Sequence, residues 1–271
     1  MAFSRFSLQA VIVDWAGTIV DHGSRAPVEA FREIFRRRGV EISAGEARGP
    51  MGMEKRDHIA ALLAVPRIAE AWRQSHGRSA GDDEISALYH DFLPVQTELL
   101  PLHADLIPGV LDTFADCRRR GLKIGSSSGY AAPLMQQLVA LTEPSGLQVD
   151  AVVSATEVAA GRPAPWMIFK NMEQLGVYPA AAVAVVDDTT VGVEAGVNAG
   201  AWSVGVIETG NMFGVSVTEL AQLGQAERDE RRQAGRNALV AAGAHYAINS
   251  VADLPQALDA IAKRLADGER P

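Results

Sequence analysis

Four polar stretches each follow an apolar run of the sequence, and their side chains are of the types that bind and transfer a phosphoryl group. They are Asp14 at the end of QAVIVD, the serines 126–128, the segment Gly161-Arg162-Pro163 and the pair Asp187-Asp188. Each stretch alone is typical of an ordinary turn or helix cap. In a parallel sheet, however, the carboxyl ends of the strands meet at one edge, so the four stretches would converge.

This convergence predicts a site for a phosphoryl group and a divalent cation. Asp14 and Asp188 offer two hard carboxylate ligands, which suit Mg²⁺. A serine hydroxyl and Arg162 supply the donor and the cation that phosphoryl oxygens require. We expect a small-molecule substrate, because the formal net charge of −8 argues against a nucleic-acid-binding surface.

Apolar strands and periodic helices must position these residues. Strands are predicted within 9–14, 122–128, 150–155, 182–188, 202–206 and 245–249, with helical patterns between most of them. This spacing predicts an α/β fold in which helices cover both faces of a parallel sheet. Residues 22–101 instead show only helical patterns, which predicts an all-helical insert between two sheet-forming regions. We therefore predict three segments of the chain: a first part of the core, 1–21, an all-helical insert, 22–101, and a second part of the core, 102–271.

A helix predicted over about 53–63 carries a lysine within its apolar stripe. At 100° per residue, Lys55, His58, Ile59 and Leu62 fall within about a third of the circumference. Burial would lower the pKa of the Lys55 amine, and a neutral amine is what attack on a carbonyl carbon needs. A lysine that extends from the edge of the stripe into water explains the spacing equally well. For His58 we expect a proton-shuttling or substrate-binding role, with a merely packed histidine as the alternative.

Other features limit the location of the chain and its interactions. Cys117 is the single cysteine, which excludes an intrachain disulfide and fits a reducing compartment. No apolar run approaches the roughly 20 residues that span a bilayer. Residues 1–9 lack the apolar core of a secretion signal, so the default expectation is a cytoplasmic protein without a membrane partner. The charged stretch 226–236 is interpreted as a solvated helix face.

In chain order, the motifs DWAGT, GSSSGY, GRPAPWMIF and VVDDTT resemble those of the haloacid dehalogenase superfamily. The resemblance implies a Rossmann-like core with an aspartate nucleophile, Asp14, and a helical cap where the insert lies. It also implies that Mg²⁺ is held by Asp14, the carbonyl of Ala16 and Asp188. Ser128, Gly129 and Arg162 would bind the phosphoryl oxygens, and the neighbouring serines 126 and 127 remain alternatives to Ser128.

One departure indicates which branch of the superfamily is closest. Most phosphatases of the superfamily carry a second Asp two residues after the nucleophile, and this chain has Ala16 there. DWAGT together with PMGMEKRDH resembles the phosphonatase (phosphonoacetaldehyde hydrolase) family. That resemblance implies a Schiff base between Lys55 and the substrate aldehyde, with Met51 and Gly52 in the pocket wall. It also implies cleavage of a carbon–phosphorus bond in 2-aminoethylphosphonate degradation, and a homodimer to which exposed aromatic side chains of the insert could contribute.

Several alternatives stay open at this point. Asp187 stands where many members of the superfamily have glycine, and Gly192 stands where they often carry an acid. Asp188 is therefore the predicted metal ligand, and the contribution of Asp187 is undecided. The competing functions are a phosphatase or phosphomutase acting on a small phosphate ester, against which Ala16 counts, and a catalytically inactive phospho-ligand sensor. Hinges between core and insert are expected near 21–26 and 100–107.

Overall fold

Six parallel strands form one sheet at the centre of the molecule. The computed structural model describes residues 7–271, and residues 1–6, which begin the predicted core segment 1–21, lie outside the described residues. The strands are β1 (Ala10–Val13), β2 (Lys123–Ser128), β3 (Ala151–Ser154), β4 (Val183–Asp187), β5 (Trp202–Val206) and β6 (Tyr246–Ile248). Their order across the sheet is β3-β2-β1-β4-β5-β6. The predicted α/β fold is confirmed.

Five helices lie within residues 22–101. They are α1 (Ala26–Arg37), α2 (Ala44–Arg48), α3 (Lys55–Ala64), α4 (Pro66–His76) and α5 (Asp82–Leu99). Helix α2 begins with a capping box, because the Ser43 side chain accepts from the Glu46 amide while the Glu46 carboxylate accepts from the Ser43 amide. Helix α1 packs along α5, and α3 packs against α4 and α5. The division of the chain into three segments remains a prediction.

The remaining helices surround the sheet. They are α6 (Val110–Arg119), α7 (Ala132–Thr142), α8 (Trp166–Leu175), α9 (Thr190–Asn198), α10 (Val217–Gln222), α11 (Gln225–Ala241) and α12 (Leu254–Ala266). Side chains of β1 alternate between two apolar clusters, with Val11 and Val13 packed with residues of α6, α7 and α12 and Ala10 and Ile12 packed with residues of α8 and α9. Both faces of the sheet are therefore covered, as a parallel sheet requires.

Aromatic residues of the insert are packed inside it. Phe31, Phe35, Trp72 and Phe92 are buried, and Tyr89 is half-buried. They belong to the same apolar cluster as Val11 and Val13 of β1. Among the described residues, no aromatic ring of the insert is fully exposed, so the suggestion that such rings contribute to a dimer gains no support. The homodimer itself remains a prediction.

The charged stretch 226–236 lies on α11 and is mostly exposed, as expected, but two of its arginines contact the core. Arg228 and Arg232 both pair with the buried carboxylate of Glu208, which directly follows the β5 region. The stretch therefore also fixes a loop beside the sheet. Within residues 7–271, no helix combines the length and apolar character needed to cross a membrane.

Candidate active site

Asp14 follows the central strand and starts a tight loop. Its amide donates to the carbonyl of Val186 on β4 at 2.9 Å, which fixes the carboxyl end of β1 beside that of β4. Gly17, with φ +85°, closes the loop by donating to the carbonyl of Val20 at 2.7 Å. A side chain at Gly17 would overlap the carboxylate of Asp188, so glycine allows the two acidic loops to touch.

Arg162 is the cation that holds this strand edge together. Its Nη2 donates to Asp14 Oδ1 at 2.7 Å and to both the carbonyl and Oγ of Ser127 at 3.0 Å. The same nitrogen lies 2.9 Å from Asp187 Oδ2. Burial opposes the charge, but the carboxylates of Asp187 and Asp14 outweigh it and raise the pKa of Arg162. The guanidinium is thus a fixed positive charge in a buried site.

Three aspartates converge beside this guanidinium. Carboxylate oxygens of Asp14, Asp187 and Asp188 all lie within 4.8 Å of one another, and all three residues are buried. Burial, partly offset by Arg162 and reinforced by Asp187, raises the pKa of Asp14 to about 7. Burial and the charge of Asp14 also raise the pKa of Asp188. The cluster has more negative charge than its neighbours neutralise, and its hard oxygens fit a divalent cation.

Asp187 and Asp188 have different partners within the cluster. Asp187 Oδ1 accepts from the amide of Thr189 at 2.9 Å and from its hydroxyl at 2.7 Å, and Oδ2 faces Arg162. A side chain at Gly192 would overlap the Asp187 carboxylate, so this carboxylate occupies the space above a glycine. Asp188 Oδ2 accepts from the amide of Asn211 at 2.7 Å. The oxygens of Asp187 are therefore engaged on both sides, whereas Asp188 has a single described protein donor.

Lys55 is the first residue of α3, and the preceding residue fixes its position. The Glu54 carboxylate accepts from the amides of Arg56 and Asp57 and so caps the helix. The buried amine of Lys55 lies 5.2 Å from the ring centre of Tyr130 and 5.8 Å from that of Phe31. Burial lowers the pKa of Lys55 to about 8, although the negative charge of Asp14 opposes this shift.

One small cavity, partly open to solvent, joins the insert to the sheet edge. It is lined by the insert lysine and by both the acidic and the basic groups of the sheet edge. Among its lining residues are nine that were predicted from the sequence: Asp14, Ala16, Met51, Gly52, Lys55, Ser128, Gly129, Arg162 and Asp188. Two carboxylates, a guanidinium and an amine therefore line one small cavity beside the candidate metal site.

Comparisons with known proteins identify the family. The family model of haloacid dehalogenase-like hydrolases matches residues 8–200. A phosphonoacetaldehyde hydrolase from Paraburkholderia phytofirmans is 45% identical over 264 residues, 97% of this chain and 99% of its own length. The corresponding enzyme of Bordetella pertussis is 44% identical over 97% of this chain and 96% of its own length. The chain is a haloacid dehalogenase-like hydrolase of the phosphonoacetaldehyde hydrolase family.

A solved structure shows the same fold over the whole chain. It is that of a phosphonoacetaldehyde hydrolase-like protein from Oleispira antarctica, with 39% identity and a TM-score of 0.98. The alignment covers 100% of this chain and 98% of that protein. The helical insert and the sheet of this hydrolase therefore have the same relative placement in a solved relative.

The three serines of this hydrolase separate clearly by their contacts. Ser126 Oγ donates to the carbonyl of Ala151 at 3.1 Å, and Ser127 Oγ accepts from Arg162. Ser128 is the serine that lines the cavity, where its Oγ accepts from the amide of Tyr130 at 3.2 Å. The geometry thus favours Ser128 among the three as the hydroxyl that faces a ligand.

His58 is the one predicted site residue that does not line the cavity. Its Nε2 lies 2.9 Å from the carbonyl of Ala47, and its ring stacks on Phe31 at 3.8 Å. Burial and the charge of Lys55 lower the pKa of His58 well below its ordinary value. A buried neutral imidazole between α1, α2 and α3 matches the packed alternative, and the catalytic role remains a prediction.

Four further cavity residues were not predicted as site residues. Tyr130 and Thr189 directly follow the serine and aspartate motifs, and this adjacency was a usable signal. Ser24 and Pro27 come from the segment between β1 and α1. Nothing in their spacing indicates a site, since the approach of this segment to the sheet edge is a tertiary feature.

Proposed function

We propose that this hydrolase cleaves the carbon–phosphorus bond of phosphonoacetaldehyde and releases acetaldehyde and phosphate. The observation that carries the proposal is the shared cavity, in which a buried amine of lowered pKa, Lys55, lies with Asp14 and Arg162. The name shared by relatives that are 44–45% identical over 97% of the chain supports the substrate. The cavity is small, which fits a small-molecule substrate.

The main chemical difficulty is that cleavage of the carbon–phosphorus bond would release a carbanion, which is a poor leaving group. Lys55 is proposed to overcome this difficulty. The neutral amine attacks the aldehyde carbon, and loss of water gives an iminium ion. The iminium carbon can accept the electron pair of the carbon–phosphorus bond, so the departing fragment becomes a neutral enamine instead of a carbanion. Protonation of the enamine and hydrolysis of the imine release acetaldehyde and regenerate the amine.

Asp14 is proposed as the nucleophile at phosphorus. Its carboxylate oxygen forms a bond to phosphorus while the carbon–phosphorus bond breaks, and water then hydrolyses the aspartyl phosphate. Arg162, Ser128 and Gly129 would hold the phosphonate oxygens, and Met51 forms part of the wall. The described contacts of His58 support no step, and none is assigned to it.

Mg²⁺ is the proposed cofactor, held by Asp14, Asp188 and the carbonyl of Ala16. The surplus of negative charge among the three buried aspartates supports this assignment. When bound, the ion offsets the repulsion between the attacking carboxylate and the phosphonate. Ala16 supplies no side-chain acid for an ester leaving group, which argues against a phosphatase or phosphomutase.

Borohydride trapping tests this proposal directly. Borohydride added with phosphonoacetaldehyde should reduce the imine and leave a stable adduct on Lys55, located by peptide mass spectrometry. Lys55→Ala should abolish both the adduct and turnover, whereas the matched surface variant Lys170→Arg should retain both. Absence of an adduct together with unchanged turnover in Lys55→Ala would overturn the imine, and activity retained in Asp14→Ala would overturn the nucleophile. Faster turnover of small phosphate esters would favour the phosphatase instead.

The cellular role and assembly are proposed on the family resemblance. The enzyme would act in 2-aminoethylphosphonate degradation in the cytoplasm, as a homodimer. Burial raises the pKa of the single thiol, Cys117, to about 11, so it is poorly reactive and suits a reducing compartment. Light scattering coupled to size-exclusion chromatography would determine the number of subunits, and a monomer at micromolar concentration would contradict the homodimer.

A further inference from the structure

The loop that follows β5, residues 207–216, contacts both acidic loops of the site and the first hinge. The Thr209 hydroxyl donates to the carbonyl of Gly17 at 2.8 Å. The Thr209 carbonyl accepts from the amide of Gly23 at 2.7 Å. The Asn211 amide donates to Asp188 Oδ2 at 2.7 Å. We call residues 207–216 the strap, because they link the nucleophile loop, the candidate metal ligand and the hinge.

Arg48, the last residue of α2, connects the strap to the insert. Its Nη1 donates to the carbonyl of Gly23 at 2.7 Å and to Asn211 Oδ1 at 3.2 Å, and its Nη2 donates to the carbonyl of Gly214 at 2.9 Å. In return, Asn211 Nδ2 donates to the carbonyl of Arg48 at 3.3 Å. Both polar atoms of the Asn211 side chain therefore contact Arg48, whereas the backbone amide of Asn211 donates to Asp188.

The partners of Arg48 are unusual for a half-buried guanidinium. Within residues 7–271, no carboxylate lies within ion-pair distance of it, and its described acceptors are neutral carbonyl and amide oxygens. A side chain at Gly214, whose φ is +65°, would lie 2.6 Å from Arg48 Cζ, so glycine allows the guanidinium to rest on the strap backbone. This arrangement exists only while the insert is seated on the core.

We propose that Arg48 and Asn211 are positioning residues that couple the seating of the insert to the placement of the Asp188 carboxylate. When the insert moves away, Asn211 loses its contacts with Arg48, and its amide no longer holds Asp188 Oδ2 in place. Because coupling is reciprocal, Mg²⁺ bound at Asp188 also favours the seated insert. The inference deepens the proposed function and rests on its assignment of Asp188 as a metal ligand.

A double-mutant cycle on Mg²⁺ binding tests the coupling. Calorimetric titration with Mg²⁺ in the presence of inorganic phosphate is performed on Arg48→Met, Asn211→Ala and the double variant. Each single change should weaken Mg²⁺ binding about tenfold, and the double variant should be no weaker than the weaker single variant, because both act through one chain of contacts. Unchanged affinity in the single variants, or multiplied effects in the double variant, would overturn the proposal.

Two further variants separate this coupling from a general loss of structure. Arg73→Met removes an insert arginine of similar size whose partner, Glu70, is exposed, and its Mg²⁺ affinity should equal that of the parent enzyme. Arg48→Lys keeps the charge but not the forked contacts, so we expect it to resemble Arg48→Met. Full activity and parental affinity in Arg48→Lys would show that charge alone acts there, against the proposal.

Hydrogen exchange decides the coupling independently of the metal assignment. The Asn211 amide donates to Asp188, so its exchange in the metal-free protein should be at least about tenfold faster in Arg48→Met than in the parent or in Arg73→Met. Unchanged exchange would overturn the coupling. A parent enzyme that fails to bind Mg²⁺ but shows the expected exchange would instead overturn the metal assignment of the proposed function.

Discussion

At the scale of single residues, the proposed role of the buried Lys55 amine predicts how turnover depends on pH. Burial lowers the pKa of Lys55 from 10.5 to about 8, so the amine is mostly protonated at neutral pH and mostly neutral above the shifted value. In the proposed mechanism the neutral amine attacks the aldehyde, so we expect kcat/KM to rise about tenfold per pH unit between about pH 7 and pH 8 and to level off above it. Below about pH 7, protonation of Asp14 should steepen the fall. A steady-state pH profile measures this.

The pH dependence of borohydride trapping provides the control for this profile. The rate of adduct formation on Lys55 should follow the same curve above about pH 7, because both depend on the neutral amine. A flat profile across neutral pH, in both turnover and trapping, would mean that Lys55 is already neutral there or that no imine forms.

The Asp187 carboxylate packs directly against Gly192, where no side chain would fit beside it. Because a methyl group at Gly192 would overlap the Asp187 carboxylate, Gly192→Ala should displace that carboxylate from Arg162. We expect a loss of about 2 kcal/mol in the free energy of unfolding, from overpacking, and about a hundredfold in kcat, from the misplaced guanidinium. Chemical denaturation and steady-state kinetics measure the two effects.

Two variants distinguish crowding from lost chemistry at this position. Gly224→Ala, at a glycine with open space around it, should change neither quantity. Adding Gly192→Ala to Asp187→Ala should cost no further stability, because the overlap is absent there, while kcat stays low in both variants. Parental kcat in Asp187→Ala would show that the carboxylate of Asp187 has no part in positioning Arg162.

These residues also show how far the sequence predicts the site. Asp14, Arg162 and Asp188 follow strands, and the geometry of a parallel sheet brings such residues together whatever the loops do. Arg48 and Asn211 had no such signal. They are 163 positions apart in sequence, and their contact depends on how the insert settles on the core.

At the scale of elements, strands and long helices were predictable because their apolar periods are strong. Helix α12 has no counterpart among the predicted elements. Its buried stripe at helical spacing is nevertheless a readable signal, formed by Leu254, Leu258, Ile261 and Leu265. The short helix α10 buries no residue, so no apolar period marks it. Its signal was the capping box of Ser216 and Glu219.

The two predicted hinges are tied together by one histidine. His103 Nδ1 lies 3.3 Å from Asp21 Oδ1, and His103 Nε2 lies 3.3 Å from Glu29 Oε2 on α1. Asp21 in turn accepts from the amides of Arg25 and Ala26 and so caps α1. The hydrogen bond to Asp21 raises the pKa of His103, although burial opposes the shift. The protonated imidazole therefore stabilises the hinge region.

The raised pKa gives this stabilisation a definite pH dependence. It is complete below the unfolded pKa of about 6.5 and is lost as the pH rises through the higher folded value. His103→Gln should therefore reduce the free energy of unfolding by about 1 kcal/mol near pH 6 and by less near pH 9. Urea denaturation at both pH values measures this. His90→Gln, which changes an exposed histidine, should show no such difference, and an equal loss at both pH values in His103→Gln would contradict the charge effect.

At the scale of the whole molecule, close backbone approaches seat the insert on the core. A side chain at Gly129 would lie 2.8 Å from the carbonyl oxygen of Met53, and one at Gly161 would lie 3.1 Å from Glu54 Cβ. Both glycines are in core loops, whereas Met53 and Glu54 immediately precede Lys55. These contacts lie beside the Lys55 amine, so we expect substrate entry to require the insert to lift.

A disulfide between the insert and the core should make opening of the insert depend on the redox state of the two cysteines. Glu54→Cys combined with Gly161→Cys places two thiols on carbons that are close enough to bridge after a shift of a few tenths of an ångström. We expect the oxidised double variant to lose nearly all turnover and dithiothreitol to restore the activity of its reduced form, because the bridge holds the cavity shut. Both single variants should be indifferent to oxidant, since Cys117 is buried. Equal turnover in the oxidised and reduced double variant, with the bridge confirmed by mass spectrometry, would show that substrate reaches Lys55 without movement of the insert.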